Sequence, residues 1–527
     1  MATTTKPAPA VNPPNEGTSR GAWMALIAAL LGWLFDGAEM GVFSMVGAEA
    51  VKDLMRVDGI EPPQDRVTFY FNVIIAVFLV GAATGGVVFG WLGDRIGRVR
   101  AMSLSVLTYA VFTGLCGFAR SPMELGILRF IASLGMGGEW ALGVALVMEV
   151  WPNRSRAFMA GLIGAAANVG YLLVGVIGIF LLKILADMGV WLVDVGVPQG
   201  TADKLIAYKG WRLMMMLGTL PALLTFFFRI FVPESHKWEE EKAKGGTNNW
   251  ATVDLLGVLI GATGPGLIVF VWAHDQMSIA MRVVGTVAGL IIAIVGYTYP
   301  VFRYLQRSMA THTAEVRSPW PTVRLMLLGA CLSGVALLGT WGSTQSAPKW
   351  AYELASKSTE PFAHPREWTQ IWLAAGAVVG TILAAMCGDW FGRRITYFVM
   401  CIISLAAALV FFQTHNAYGN SFLIWSFIAG VTTASFYGWL PLYLPELFAT
   451  RVRATGQGFG FNFGRILAAI GTLQLNAMLL PKVANVATYA GLKGGTPVVC
   501  SCVCGVYLIG MLIIWLAPET KGKPLPE

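Results

Sequence analysis

Gly93-Asp94-Arg95-Ile96-Gly97-Arg98 closes one long apolar run and opens the next, and the cassette returns as Gly388-Asp389-Trp390-Phe391-Gly392-Arg393-Arg394. A second cassette is duplicated with it: Glu149, Arg154 and Arg156 have the spacing of Glu446, Arg451 and Arg453. Charged elbows repeated in this way predict two homologous halves of apolar helices. Internal repeats of that kind point to a secondary transporter rather than an enzyme or a receptor.

Composition agrees. Hydrophobic residues are 56% of the 527 positions and charged residues only 13%, too apolar for a water-soluble chain of this length. The 61 glycines suit closely packed membrane helices. The net charge of +8 reads as basic loops facing anionic lipid, not as a nucleic-acid surface. The seven cysteines show no framework spacing, and Cys500, Cys502 and Cys504 alternate within an apolar run, where they do not share a helix face. They read as small apolar side chains. No two of His236, His274, His312, His364 and His415 have metal-ligand spacing, so no metal, cofactor or hydrolytic centre is expected.

Runs long enough to cross a bilayer fall near 22–46, 67–92, 99–119, 123–149, 156–183 and 211–232, then 252–273 and 280–302. They continue near 322–345, 367–388, 394–413, 418–444, 453–480 and 497–517. The expected organisation is a disordered tail (1–20), a six-helix bundle (21–232) and a loop (233–251). An inserted two-helix hairpin (252–303), a second loop (304–321), a second six-helix bundle (322–517) and a short tail (518–527) follow. That is an all-α membrane protein of about fourteen spans. The bias of Lys and Arg toward alternate loops places both termini in the cytoplasm of a plasma or inner membrane. The hairpin, around His274-Asp275, is expected to lie outside the transport core.

The duplicated Gly-Asp-Arg-x-Gly-Arg elbow resembles the major facilitator superfamily. Glu149-x-x-Pro152-x-x-x-Arg156, Pro233-Glu234-Ser235, Pro445-Glu446 through Arg453, and Pro518-Glu519-Thr520-Lys521-Gly522 resemble its sugar-porter and organic-acid branch. Leu34-Phe35-Asp36-Gly37-Ala38-Glu39 is similar to the acidic first helix of aromatic-acid and sialate proton symporters. The central hairpin is similar to that of sialate symporters. The glutamine-rich sugar contacts of sugar porters are not visible in spans five and seven.

Ionisable residues inside a bilayer are costly and mark a pathway or a pair. Asp36 and Glu39 share a face of the first span, Arg129 and Glu139 lie on the fourth, and Arg465 sits near mid-membrane on the penultimate span. Asp36 and Arg129 are the expected coupling pair. The resemblance implies a proton switch there, since a carboxylate that loses its guanidinium partner in a dry site takes a proton. Glu39 and Glu139 are further proton-coupling candidates; the alternatives are a static Asp36–Arg129 pair and a Glu139 bonded to a neighbouring helix. Arg465 is the candidate for binding a substrate carboxylate, through its planar fork of donors; the alternative is a structural bond to Glu139 or to a backbone carbonyl. Asn168, Trp341, Gln345, Tyr437 and Asn462 are candidate cavity contacts.

The elbow residues Asp94, Arg95, Arg98, Glu149, Arg154, Arg156, Asp389, Arg393, Glu446, Arg451 and Arg453 are expected to form a cytoplasmic ion-pair gate that breaks for inward opening. Trp390 stands where the first copy has Arg95, which predicts a weaker second lock. The resulting expectation is proton-coupled alternating access for a small organic anion, sialate-like or an aromatic acid, by a monomer in the lipid bilayer. A proton-coupled neutral sugar or polyol porter is the alternative. An exporter is less favoured, and so is a sensor on the same scaffold.

Overall fold

The computed structural model describes residues 20–57, 59–219, 231–274, 276–311, 318–478, 480–483 and 486–527; of 471–481 only backbone is described. Helices α1 (Arg20–Met55), α2 (Gln64–Ile96), α3 (Arg98–Cys116), α4 (Pro122–Val150), α5 (Asn153–Asp194) and α6 (Gln199–Leu217) form the first half. A surface helix α7 (His236–Ala243) leads to the hairpin α8 (Leu255–Ala273) and α9 (Ile279–Ala310). The second half begins with α10 (Trp320–Trp341), α11 (Ala347–Ala355), α12 (Pro365–Phe391) and α13 (Arg393–Thr414). It continues with α14 (Asn420–Thr433), α15 (Phe436–Tyr443), α16 (Arg453–Met478), α17 (Leu480–Val483), α18 (Thr496–Cys504) and α19 (Val506–Ile513). A two-stranded ribbon, β1 (Thr488–Tyr489) and β2 (Leu492–Lys493), precedes α18.

Among the described residues, twelve helices are long and apolar enough to cross a bilayer. Two of the fourteen expected spans are not among them. Half of the sixth, 211–232, lies outside the described residues. The thirteenth is α16, in which Arg453, Gln457, Asn462 and Arg465 dilute the apolar character of a stretch, 453–470, that is mostly buried in protein. Several helices outrun their apolar core: α5 has 42 residues where 156–183 was expected, roughly 63 Å against a hydrocarbon layer of about 30 Å. Large apolar side chains such as Ile127, Phe180, Leu182, Val284 and Leu512 are exposed on the outer surface, as a lipid-facing surface requires.

The elbows show why their glycines stand where they do. Gly97 and Gly392 adopt φ of 114° and 96°, a region open to glycine, and so turn α2 into α3 and α12 into α13. A Cβ on Gly97 would also collide with the Glu234 carboxylate. The two halves meet along two seams, α2 on α16 and α5 on α12 and α15. The end of the molecule that carries both elbows is called the elbow end below.

Candidate substrate site and gate

Helix α4 starts at a cap in which Ser121 accepts from the Glu124 amide, with Pro122 in the first turn. That start sets the heights of Arg129 and Glu139 along the bundle. Arg129 pairs with Glu39 and lies between the rings of Phe43 (4.1 Å) and Phe78 (4.3 Å). This corrects the expected Asp36–Arg129 pair. The two helices run antiparallel, so Glu39, the carboxylate nearer the far end of α1, meets the residue nearer the far end of α4. Asp36 turns instead toward Glu139 and the Arg465 guanidinium.

Asp36, Glu139 and Arg465 therefore form a second, separate cluster that joins the halves about midway along α1, α4 and α16. Asp36 Oδ1, Glu139 Oε1, Arg465 Nη1 and the Tyr437 hydroxyl have no hydrogen-bond partner among the described residues. Gly32, one turn before Asp36, leaves room for the Glu139 carboxylate: a Cβ there would collide with Glu139 Oε1. Gly32→Val is accordingly expected to displace Glu139 and to lower transport at least 10-fold with the protein still folded, measured by uptake and by size-exclusion profile.

The remaining cavity candidates divide. Tyr437 lies within electrostatic range of Arg465, and Trp341 lies beside Tyr437. Gln345 Oε1 accepts from the Tyr171 hydroxyl at 2.8 Å, and Gln370 donates to the Tyr171 carbonyl at 2.8 Å, which closes α5 against the second half. Asn168 donates to Gly164 of its own helix at 2.9 Å. Asn462 is a correction. It is fully buried in the seam, where its amide nitrogen donates to Gly137 O at 2.9 Å and Gly458 O at 3.1 Å and ties α16 to α4, while its Oδ1 has no partner among the described residues. Sequence reading missed Tyr171, although it lies one helical step from Asn168, and Gln370, which only folding places.

It also missed a floor of aromatic rings. Trp33 stacks on Trp140 (5.8 Å), and Trp140 on Phe461 of the other half (3.8 Å, 3° between planes). This stack lies between the Arg465 cluster and the elbow end.

Below the floor the elbow residues lock the halves together. Arg98 donates to Asp94 (2.9 Å), Glu149 (3.1 Å) and, across the seam, Thr450 O (2.7 Å). Arg453 reaches back to Glu149 at 2.7 Å. Asp94 caps the start of α16, accepting from the amides of Ala454 (3.2 Å) and Thr455 (2.9 Å) and from the Thr455 hydroxyl (2.6 Å). The buried set of Asp94, Glu149, Arg98 and Arg453 is charge-balanced, so removing one member strands a buried charge. Glu149→Gln is expected to cost the locked state about 3 kcal/mol. It should raise labelling of a cysteine beneath the floor by a reagent supplied from the elbow side.

The second half repeats part of this. Arg393 holds Glu446 through two bonds (2.6 and 3.0 Å), and Thr520 donates to Glu446 (2.6 Å) as Ser235 does to Glu149. Asp389, however, is half-exposed, 3.5 Å from Arg393, and caps no helix of the first half among the described residues. Arg156 lies near Glu446 with no direct ion pair among the described residues. Three gate candidates are corrections. Arg95 donates to Thr252 of the hairpin loop (2.6 Å), because consecutive helix residues point about 100° apart and Asp94 takes the direction of the other half. Arg154 is exposed and Arg451 half-exposed, and neither joins an ion pair among the described residues; Arg156 and Arg453, two positions on, take the inward direction.

Glu234 and Glu519 brace the starts of α3 and α13. Glu234 accepts from the amides of Arg98 (2.8 Å) and Val99, and Glu519 from those of Arg393 (3.0 Å) and Arg394 (3.1 Å). Burial holds the Glu234 carboxyl above its ordinary value despite these bonds. Burial also pushes Glu519 up, but amides of Arg393, Arg394, Lys521 and Thr520 outweigh it and the net shift is down. On acidification the first brace takes its proton before the second.

With this geometry in place, comparison with known proteins is informative. The family model described as Major Facilitator Superfamily matches residues 28–472, and the chain belongs to that family. It is an integral, multi-pass membrane transporter, not an enzyme. The cis,cis-muconate transport protein of Acinetobacter baylyi is 24% identical over 450 residues, 85% of each chain. A sialic acid transporter of Escherichia coli is 28% identical over 235 residues, 44% of this chain and 48% of that one. Other relatives are named for transport of benzoate and inorganic phosphate. A solved structure of the proton:xylose symporter XylE superposes with a TM-score of 0.65 at 18% identity, covering 97% of this chain and 98% of that one, a likeness of fold.

Proposed function

We propose that the protein carries a small organic monocarboxylate across the cell membrane together with a proton, by rocking of the two halves about the Asp36–Glu139–Arg465 cluster. The observation that carries this reading is the charge balance of the cluster: two carboxyls face one guanidinium whose Nη1 is unpaired. With both carboxyls ionised the set has a net charge of −1, and buried net charge is expensive. It is neutral when one carboxyl holds a proton. A substrate carboxylate on Arg465 restores −1, and a second proton restores neutrality. Anion binding and proton binding thus favour one another, and by linkage each strengthens the other.

Arg465 would supply the fork of donors for the carboxylate, with Tyr437, Trp341 and the Tyr171–Gln345 pair around the body of the substrate. Asp36 and Glu139 would hold the proton. The Asp94–Arg98–Glu149–Arg453 lock and the Trp33–Trp140–Phe461 floor would keep the cytoplasmic side shut while the site loads from outside. Glu39 and Arg129, already paired, would fix α1 to α4. The names of the muconate, benzoate and sialic acid relatives support an acidic substrate.

The test is uptake into proteoliposomes of benzoate, cis,cis-muconate, sialic acid and xylose, each with and without an inward proton gradient. Accumulation of an acid that depends on the gradient supports the reading. Accumulation of xylose and none of the acids would replace it with the proton-coupled sugar porter.

A further inference from the structure

The inserted hairpin does not stand apart from the two halves. Its helices pack tightly on each other where Gly264 and Gly289 let the backbones meet. Its elbow end is closed by the Asp254–Arg307 ion pair, the Tyr304 bond to Gly246 O (2.7 Å) and the Trp250–Tyr304 stack (4.1 Å). Nearer the far end, Trp272 donates to Thr286 at 2.9 Å. The hairpin is therefore a stiff unit.

Two hydrogen bonds fix that unit to α2 of the first half. Arg95 donates to Thr252 at 2.6 Å. The fully buried Tyr297 hydroxyl lies 2.7 Å from Thr84 Oγ1. The Thr84 hydroxyl already donates to Val80 O at 2.8 Å, so Tyr297 is the donor. The anchors are eleven residues apart on α2, roughly 16 Å along its axis, enough to fix direction as well as position.

Toward α16 of the second half the contact differs in kind. Tyr297 meets Phe463 edge to face, with centroids 6.3 Å apart, and Phe463 stacks on Phe459 (4.9 Å). No hydrogen bond joins the hairpin to α16 among the described residues. A ring-on-ring contact slides at little cost, whereas the buried Tyr297–Thr84 bond does not, and the exposed Arg95–Thr252 bond adds a second, weaker tie to the same helix.

We infer that the hairpin is carried by the first half and forms a bearing along which α16 slides as the halves rock, with Tyr297 as the positioning residue at the α2–α16 seam. Phe463 lies two positions from Arg465, so the bearing guides the segment that presents the guanidinium. The inference rests on movement of the halves and not on the substrate they carry.

Its test needs no substrate. Bioorthogonal spin labels are placed in pairs at three exposed sites of the elbow end: Asn248 in the hairpin loop, Arg154 in the first half and Trp390 in the second. Distances are read in nanodiscs for the intact protein and for Asp94→Asn, which breaks the lock. The expected result is that the 248–390 and 154–390 distances shift together while 248–154 stays single and narrow. Tyr297→Phe, which keeps the ring but removes the donation to Thr84, should broaden 248–154. The inference is overturned if 248–154 shifts while 248–390 holds, if all three change independently, or if Asp94→Asn moves none of them.

Discussion

Asp36→Asn combined with Glu139→Gln is expected to abolish gradient-driven accumulation while leaving downhill exchange of the same acid. The reason is the charge count of the Asp36–Glu139–Arg465 cluster. Without either carboxyl, Arg465 alone faces the substrate, and one anion neutralises it with no proton needed. With coupling of one proton to one monovalent anion, each pH unit of gradient supports about 10-fold accumulation, equivalent to about 1.4 kcal/mol. The double variant should fall to a ratio of about 1. Each single variant keeps one carboxyl beside Arg465, so the same count predicts that it still accumulates substrate, with an altered pH dependence. Parallel assays of accumulation and counterflow across pH separate these cases. Single variants as uncoupled as the double one would mean that the carboxyls act in sequence and do not share one balance.

The second large effect is expected at Arg465. Arg465→Ala removes the one guanidinium of the cluster and leaves two carboxyls facing each other. Loss of a charge-assisted, two-pronged contact in a dry site costs about 3 kcal/mol, on the order of 100-fold in transport efficiency for a carboxylate. Arg465→Lys keeps the charge but loses the fork, and an intermediate loss on the order of 10-fold is expected. A kinetic series at fixed gradient decides it. Both variants should act mainly through KM for the acid, and thermal stability should hold in Arg465→Lys. Unchanged carboxylate uptake in Arg465→Ala would reduce the residue to a structural charge.

Much of the architecture can be read from the sequence because it is carried by local signals. The repeated elbows place two helix turns through glycines that need positive φ, and long apolar runs can satisfy their backbone in a bilayer only as helices or closed barrels. The gate is partly legible for the same reason: Asp94, Arg98, Glu149, Arg393, Glu446 and Arg453 lie at helix ends, where spacing alone brings them near one another. Arg95, Arg154 and Arg451 show the limit. They stand one or two positions from true members, and only the rotation of each helix in its packing decides which of two neighbours points inward.

The interior pairings were less legible. Asp36 and Glu39 share a flank of α1, and no spacing says which of them meets Arg129. That is settled by the relative heights of antiparallel helices, hence by tertiary packing. Asn462 and Arg465 share a helix in the same way, yet the Asn462 nitrogen ties α16 to α4 across the seam while the Arg465 guanidinium faces Asp36. The Trp33–Trp140–Phe461 floor and the Tyr297 bearing join residues far apart in the chain through ring contacts that leave no periodic signature. Trp390 in place of Arg95 does not explain the asymmetry of the locks, with Asp94 capping α16 and Asp389 half-exposed, since Arg95 itself turns to the hairpin loop. The form of that asymmetry, a carboxylate capping a helix of the opposite half, appears only in the fold.

The most direct test of the central claim is the number of protons that accompany each carboxylate. Labelled benzoate, cis,cis-muconate and sialic acid would be offered to proteoliposomes that contain a trapped pH indicator, with the membrane potential clamped at several values. For a monocarboxylate the cluster predicts one proton per molecule and a rate insensitive to potential. Carboxylate entry without proton movement, or proton movement that accompanies xylose and no acid, would contradict it.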